Sequence, residues 1–194
     1  MNPFDLLIAD RQLARNLEDT GADTGSLALA EDGQPSVRTL VLREITQSGI
    51  TLFINKSSPK WRTIEKNPQA ELLIWFHSVQ RQYRVAGRIN KLDPAIIQEN
   101  WHRRPSASKY IDWVYEKEIQ QSAKIGSRQA LINTVNQLKT ETPESSLTPP
   151  EGAAGILLTA SRVEILDLKS PDRIHERKLY ELKADQWVIS QLMP

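Results

Sequence analysis

Cationic and imidazole side chains recur at every second position near the end of the chain, as Arg173-x-His175-x-Arg177. On an extended strand, positions i, i+2 and i+4 point to one face, so two guanidiniums and an imidazole would line one surface. A row of that kind suits an anion, and a guanidinium can also lie flat against a π system. A solvated strand with Arg–Glu pairing to Glu176 or Asp172 is the alternative. A second cluster runs through Gln34-Pro-Ser-Val-Arg38-Thr-Leu-Val-Leu-Arg43 and Phe53-Ile-Asn-Lys-Ser57-Ser-Pro-Lys60-Trp61. Apolar and β-branched residues at 37–42 and 50–54 predict two strands, and Ser57-Ser58-Pro59 has the chemistry of a helix start. Such a start offers unpaired N–H groups and partial positive charge, so with Arg38 and Lys60 it would make a site for a dianionic phosphate. Edge-strand protection and ordinary capping would use the same residues. Arg38 and Arg43 are five apart and face opposite sides of an ideal strand. Either a bulge intervenes or they serve different ligands.

The elements that must position these residues can be read in order. Asn2-Pro3 opens an amphipathic helix through Phe4, Leu7, Ile8, Leu13 and Leu17, ending near Thr20-Gly21. Ser26 to Ala30 is a strand, and Glu31-Asp32-Gly33 is hairpin-turn chemistry. A turn at Gln47-Ser48-Gly49 leads to strand 50–55, and the helix after Ser58 stops at Asn67-Pro68. Strands at 70–78 and 82–92 precede a helical stretch, 93–141. It starts at Asp93-Pro94, is broken at Arg104-Pro105, and resumes around Tyr110, Trp113 and Val114, then around Leu131, Ile132, Val135 and Leu138. Residues 140–152 are a loop rich in Pro, Ser and Glu. Strands at 154–168, 174–182 and 186–192 close a single domain, 1–194, with residues 1–24 as its N-terminal helical segment. Short strands that do not alternate one for one with helices favour a mainly β, mostly antiparallel barrel with flanking helices (α+β) over a doubly wound sheet.

Composition excludes several functions. With 39% hydrophobic residues, 194 residues suffice for a core without metal or disulfide support. Lys and Arg number 25 against 24 Asp and Glu, so no broad basic field points to nucleic acid. The absence of cysteine removes thiol catalysis and Cys-based metal sites, and three scattered histidines argue against zinc; no metal is expected. Without a long apolar run or signal-peptide pattern, the expectation is a cytoplasmic protein with no membrane partner.

The segments Arg38-Thr-Leu-Val-Leu-Arg43, Ser57-Ser-Pro-Lys60, Asn67-Pro68, Arg81-Gln82-Tyr-Arg-Val-Ala-Gly87, Arg104-Pro105-x-x-Ser108, Gln121-Ser122 and Arg173-Ile-His175-Glu-Arg177-x-x-Tyr180 stand in the order of pyridoxamine 5′-phosphate oxidases. Trp187-x(4)-Leu192-x-Pro194 closes the pattern. The chain resembles that flavoprotein family over residues 25–194.

The resemblance implies an antiparallel Greek-key split β-barrel of the FMN-binding type, assembled as a homodimer with FMN at the subunit interface. It implies oxidation of pyridoxamine or pyridoxine 5′-phosphate to pyridoxal 5′-phosphate, with O₂ as acceptor, within vitamin B6 metabolism. By the same resemblance Arg38, Thr39, Leu40, Arg43, Phe53, Ile54, Ser58, Lys60, Gln82, Gln121, Ser122 and Arg177 would bind FMN. Arg43, Asn100, Arg104, Ser108, Arg173 and His175 would bind the phosphorylated pyridine substrate, and Arg173 with His175 would be catalytic. The chain departs from the family at Arg43 (usually lysine), Pro59 (arginine), Asn100 (tyrosine) and Leu166 (tryptophan). The last two touch the substrate side. A different FMN oxidoreductase of the same fold, or a non-catalytic FMN or pyridoxal phosphate binder, is the alternative.

Overall fold

The computed structural model describes residues 1–194, which form two compact units. The first comprises Met1–Leu52, Lys66–Asn90 and Leu157–Pro194; the second comprises Phe53–Glu65 and Lys91–Ile156. Helix α1 (Pro3–Asn16) starts as its residues dictate, with Asn2 accepting from the Phe4 N–H and proline in the first turn. It stops short of Thr20, because Leu17 caps it and Glu18 turns left-handed at φ 54°. Strands β1 (Thr24–Glu31) and β2 (Gln34–Val41) follow as a hairpin, then β3 (Glu44–Thr46) and β4 (Gly49–Asn55). After α2 (Pro59–Lys66) come β5 (Gln69–Phe76), β6 (Arg81–Lys91), α3 (Pro94–Asn100), α4 (Ser106–Lys117), α5 (Arg128–Glu141), β7 (Ala153–Asp167), β8 (Glu176–Lys183) and β9 (Gln186–Leu192). The strand missed by the sequence pattern is β3, three residues long and too short to carry a period.

In the sheet the strand order is β2-β1-β5-β6-β7-β4-β3, with β8 added to β7 and β9 to β8. Pairing is antiparallel between β1 and β2, β1 and β5, β5 and β6, and along β7-β8-β9. Register places apolar residues in rows: Leu27 opposite Leu72, and Leu72 opposite Val85; likewise Ile74 opposite Tyr83. All five are fully buried, which is why these strands alternate apolar and polar so regularly. Gly87 lets β6 lie close against β7, since a Cβ there would lie 2.1 Å from the Thr159 carbonyl oxygen.

In the second unit Tyr110, Val114, Leu138 and Leu147 form the core, flanked by Trp113, Leu131 and Val135. Three aromatic donors fasten the 142–148 segment: Trp101 to the Leu147 carbonyl at 2.7 Å, Tyr110 to Thr142 and Trp113 to Thr148, both at 2.9 Å. No helix is long and apolar enough to cross a membrane.

Helix α1 is tied to β6 by charge. Arg81 donates to Asp10 at 2.6 Å and pairs with Asp167, while the fully buried Tyr83 hydroxyl donates to the same Asp10 carboxylate. Burial, reinforced by Asp10, pushes the Tyr83 phenol far up, so it stays a donor. Removing Asp10 leaves the buried Tyr83 hydroxyl without its acceptor and Arg81 with only one of its two carboxylates. Asp10→Ala is expected to destabilise by about 3–5 kcal/mol, read as a fall of about 10 °C in the thermal unfolding midpoint.

Candidate functional site

Arg38 lies on β2, opposite Leu27 of β1; it is half-buried, and its Nε has neither water access nor a hydrogen-bond partner. Thr39 is exposed and Leu40 half-buried on the same strand. The chain leaves β2 at Val41, and the Arg43 N–H donates to the Thr51 carbonyl, so no bulge is needed to separate the two arginines. Gln82 sits half-buried on β6 opposite Trp75.

The predicted row of Arg173, His175 and Arg177 on one strand does not form. Strand β8 begins only at Glu176, and residues 171–175 are a turn in which Asp172 accepts from the Ile174 N–H. Asp172 bonding its own downstream backbone competes with the sheet, and Arg173 takes the left-handed conformation at φ 64°. That conformation is strained for a non-glycine residue and recurs at ligand sites. His175 is half-buried with its Nδ1 enclosed and unpartnered. Arg177 alone is on the strand, donating to Glu164 at 2.9 Å and to the Met193 carbonyl at 3.3 Å.

Glu164 was not legible as a site residue. It is 6% exposed on β7 and also receives Arg84, which binds Glu71, itself reached by Arg162. The visible signal is an acid set between Val163 and Ile165 inside the strand pattern of residues 154–168.

In the second unit, Ser58 is fully buried and its hydroxyl donates to the Asn55 carbonyl at 2.7 Å. Its neighbour Ser57 accepts from the Gln121 N–H at 3.1 Å, while the buried Lys60 donates to the Gln121 side chain at 3.3 Å. Lys60, Gln121 and the start of α2 thus lie together. Ser122 follows in a left-handed conformation, φ 71°. Elsewhere in this unit a small cleft is lined by Phe53, Ile54, Ile97, Asn100, Trp101, Arg104 and Ala154. Arg104 makes an ion pair with Asp112, a buried residue of α4 absent from the sequence expectations. Burial pushes the Asp112 carboxyl up, against the pull of Arg104 and Asn55. Ser108 is half-buried in the first turn of α4.

The family model for pyridoxamine 5′-phosphate oxidase matches residues 12–141. The pyridoxine/pyridoxamine 5′-phosphate oxidase of Psychrobacter sp. (strain PRwf-1) is 34% identical over 99% of this chain and 89% of its own length. That of Acinetobacter baumannii (strain SDF) is 32% identical over 100% and 88%. Among solved structures, PhzG from Burkholderia lata 383 in complex with tetrahydrophenazine-1-carboxylic acid superposes with a TM-score of 0.89 at 23% identity, covering 100% of this chain and 93% of that one. A pyridoxamine 5′-phosphate oxidase-related, FMN-binding protein from Nostoc punctiforme PCC 73102 reaches 0.80 at 20% identity, covering 100% and 99%. At such identities these two establish the fold, the mainly antiparallel split barrel expected from the sequence.

Because two guanidiniums lean on the one buried Glu164 carboxylate, Glu164→Ala leaves both without it. A loss of about 3 kcal/mol in chemical denaturation is expected, with a smaller loss for Glu164→Gln, which keeps an acceptor.

Proposed function

Because the chain belongs to the pyridoxamine 5′-phosphate oxidase family, we propose that it binds FMN and oxidises the amine- or alcohol-bearing carbon of a flat pyridine-type substrate, with O₂ as acceptor. Pyridoxamine and pyridoxine 5′-phosphate, giving pyridoxal 5′-phosphate, are the substrates to which the names of its relatives point.

The observation that carries the cofactor reading is the enclosed, unpartnered Nε of Arg38. A buried donor without a partner costs about 1–3 kcal/mol unless a ligand accepts from it. The other assigned side chains, Lys60, Gln82, Gln121, Ser122 and Arg177, are donors too, and a phosphate and flavin carbonyls are acceptors. The residues present therefore fit FMN.

When bound, FMN would supply the hydride acceptor and pass electrons to O₂, giving hydrogen peroxide. The chain's own part is placement and charge. Arg38 and Lys60 hold the cofactor phosphate. Arg173 and His175 orient the substrate ring and stabilise charge that develops on it. His175, with its enclosed and unpartnered Nδ1, is the acid–base candidate among these side chains.

The deciding experiment is anaerobic stopped-flow mixing of the FMN-loaded protein with pyridoxamine, pyridoxine and their 5′-phosphates. Bleaching of the flavin by at least one is expected; no bleaching by any would leave a non-catalytic binder. Arg38→Ala should weaken FMN by about ten- to a hundredfold in a fluorescence-quenching titration, the worth of one charge-assisted hydrogen bond.

In this reading the working unit is a homodimer. Val37 and Val41 are 65% and 55% exposed on β2, the strand at one end of the sheet order, where uncovered apolar residues favour a partner. If the dimer completes the cofactor site, FMN and self-association stabilise each other. Light scattering of diluted protein should then show more dimer with FMN than without, and an FMN-saturated monomer would overturn the assignment.

A further inference from the structure

Glu164 and Arg177 are diagonal neighbours on one face of the sheet: in the β7–β8 register Glu164 stands opposite Leu179 and Arg177 opposite Leu166. Strand β9 flanks Arg177 on the other side, with Leu192 opposite it. The guanidinium is therefore gripped from both neighbouring strands. Its Nε donates to the Glu164 carboxylate at 2.9 Å, and its Nη1 to the Met193 carbonyl, just past β9, at 3.3 Å. A guanidinium is planar, so fixing two of its nitrogens fixes where the third points, and Nη2 is left without a partner in the protein. The grip is itself held. The Glu164 side chain is 7% exposed against 31% for Arg177, and its carboxylate also takes Arg84, which bonds Glu71. With Arg162 on Glu71 as well, three guanidiniums meet two carboxylates, so the hold on Arg177 does not make this face anionic.

We propose that Glu164 is a positioning residue for the cofactor: it holds the Arg177 guanidinium so that Nη2 is presented, already oriented, to an acceptor atom of FMN. This inference rests on the reading above that Arg177 belongs to the FMN site. A long side chain that is free in solution loses rotamer freedom when it meets a ligand, and one immobilised on folding does not lose it again. A carboxylate beside a ligand-binding arginine can also compete with the ligand. Here the two do not meet on the same nitrogen, because Glu164 takes Nε, and its charge is shared with Arg84. Orientation is therefore the larger effect, and removing the carboxylate weakens FMN rather than tightening it.

The test titrates the flavin-free full chain with FMN, followed by fluorescence quenching, in a double-mutant cycle of Glu164→Ala and Arg177→Gln. Arg177→Gln is expected to weaken FMN about tenfold, the worth of one charge-assisted hydrogen bond, and Glu164→Ala about fivefold. The double variant should bind within about twofold of Arg177→Gln alone, because Glu164 acts only through that guanidinium. If Glu164 served only to hold the strands together, the two losses would multiply. Glu164→Gln, which keeps an acceptor for Nε, should stay within about twofold of the unaltered protein. Should Glu164→Ala not fold, Arg177→Lys decides: an ammonium keeps the charge but cannot be clamped in a plane, and it is expected to lose as much as Arg177→Gln. Losses that multiply, unchanged or tighter FMN in Glu164→Ala, or full affinity in Arg177→Lys overturns the inference and leaves Arg177 in the cofactor site. Full affinity in Arg177→Gln removes Arg177 from that site, and the inference with it. Absence of FMN binding by the unaltered protein is a separate result, and refutes the cofactor reading itself.

Discussion

A guanidinium removed from water must take its counter-ion with it, and this constraint runs through the whole chain. Arg81 is closed between Asp10 and Asp167, Arg177 and Arg84 share Glu164, and Arg104 lies on Asp112. Each pairing holds an element in place: α1 against β6, β8 against β7, and the start of α4 against its own middle turn. Breaking one partner of such a pair leaves an uncompensated charge in low dielectric, so the pairs fix geometry even where they add little net stability.

The same constraint divides the cations into two sets. Those with an enclosed acid are structural in their charge, whatever their side chains touch. Arg38, by contrast, has an enclosed N–H with no acceptor from the protein. A donor left in that state is a demand for a ligand, and it is why the cofactor reading rests on Arg38 more firmly than on Arg177, whose guanidinium already has Glu164. Arg104, like Arg177, already meets an internal carboxylate, that of Asp112.

Local chemistry made much of the fold legible. Asn2-Pro3 and Asp93-Pro94 started helices where they stood, since a side-chain acceptor and a proline answer the needs of a first turn. The strands of the first unit were readable because each buries one face, and alternation is then forced on the sequence. Where an element buries little, the pattern faded. Three-residue β3 is too short to show a period, and Arg-x-His-x-Arg has the period of a strand from 174 although the chain is still turning there, because nothing in the period says that Asp172 will bind its own backbone.

By itself, then, the sequence determined the class of fold, the order of its elements and the types of side chain available to hold an anion, all of which depend on neighbours within a few positions. The tertiary structure decided which acid meets which cation. Asp10 and Arg81 are 71 positions apart, and Arg84 and Glu164 are 80 apart. Even Arg104 and Asp112, close along the chain, become a pair only because a turn precedes α4 and packing closes over both. A charge's partner is set by distance and dielectric in three dimensions, and neither is written in spacing along the chain.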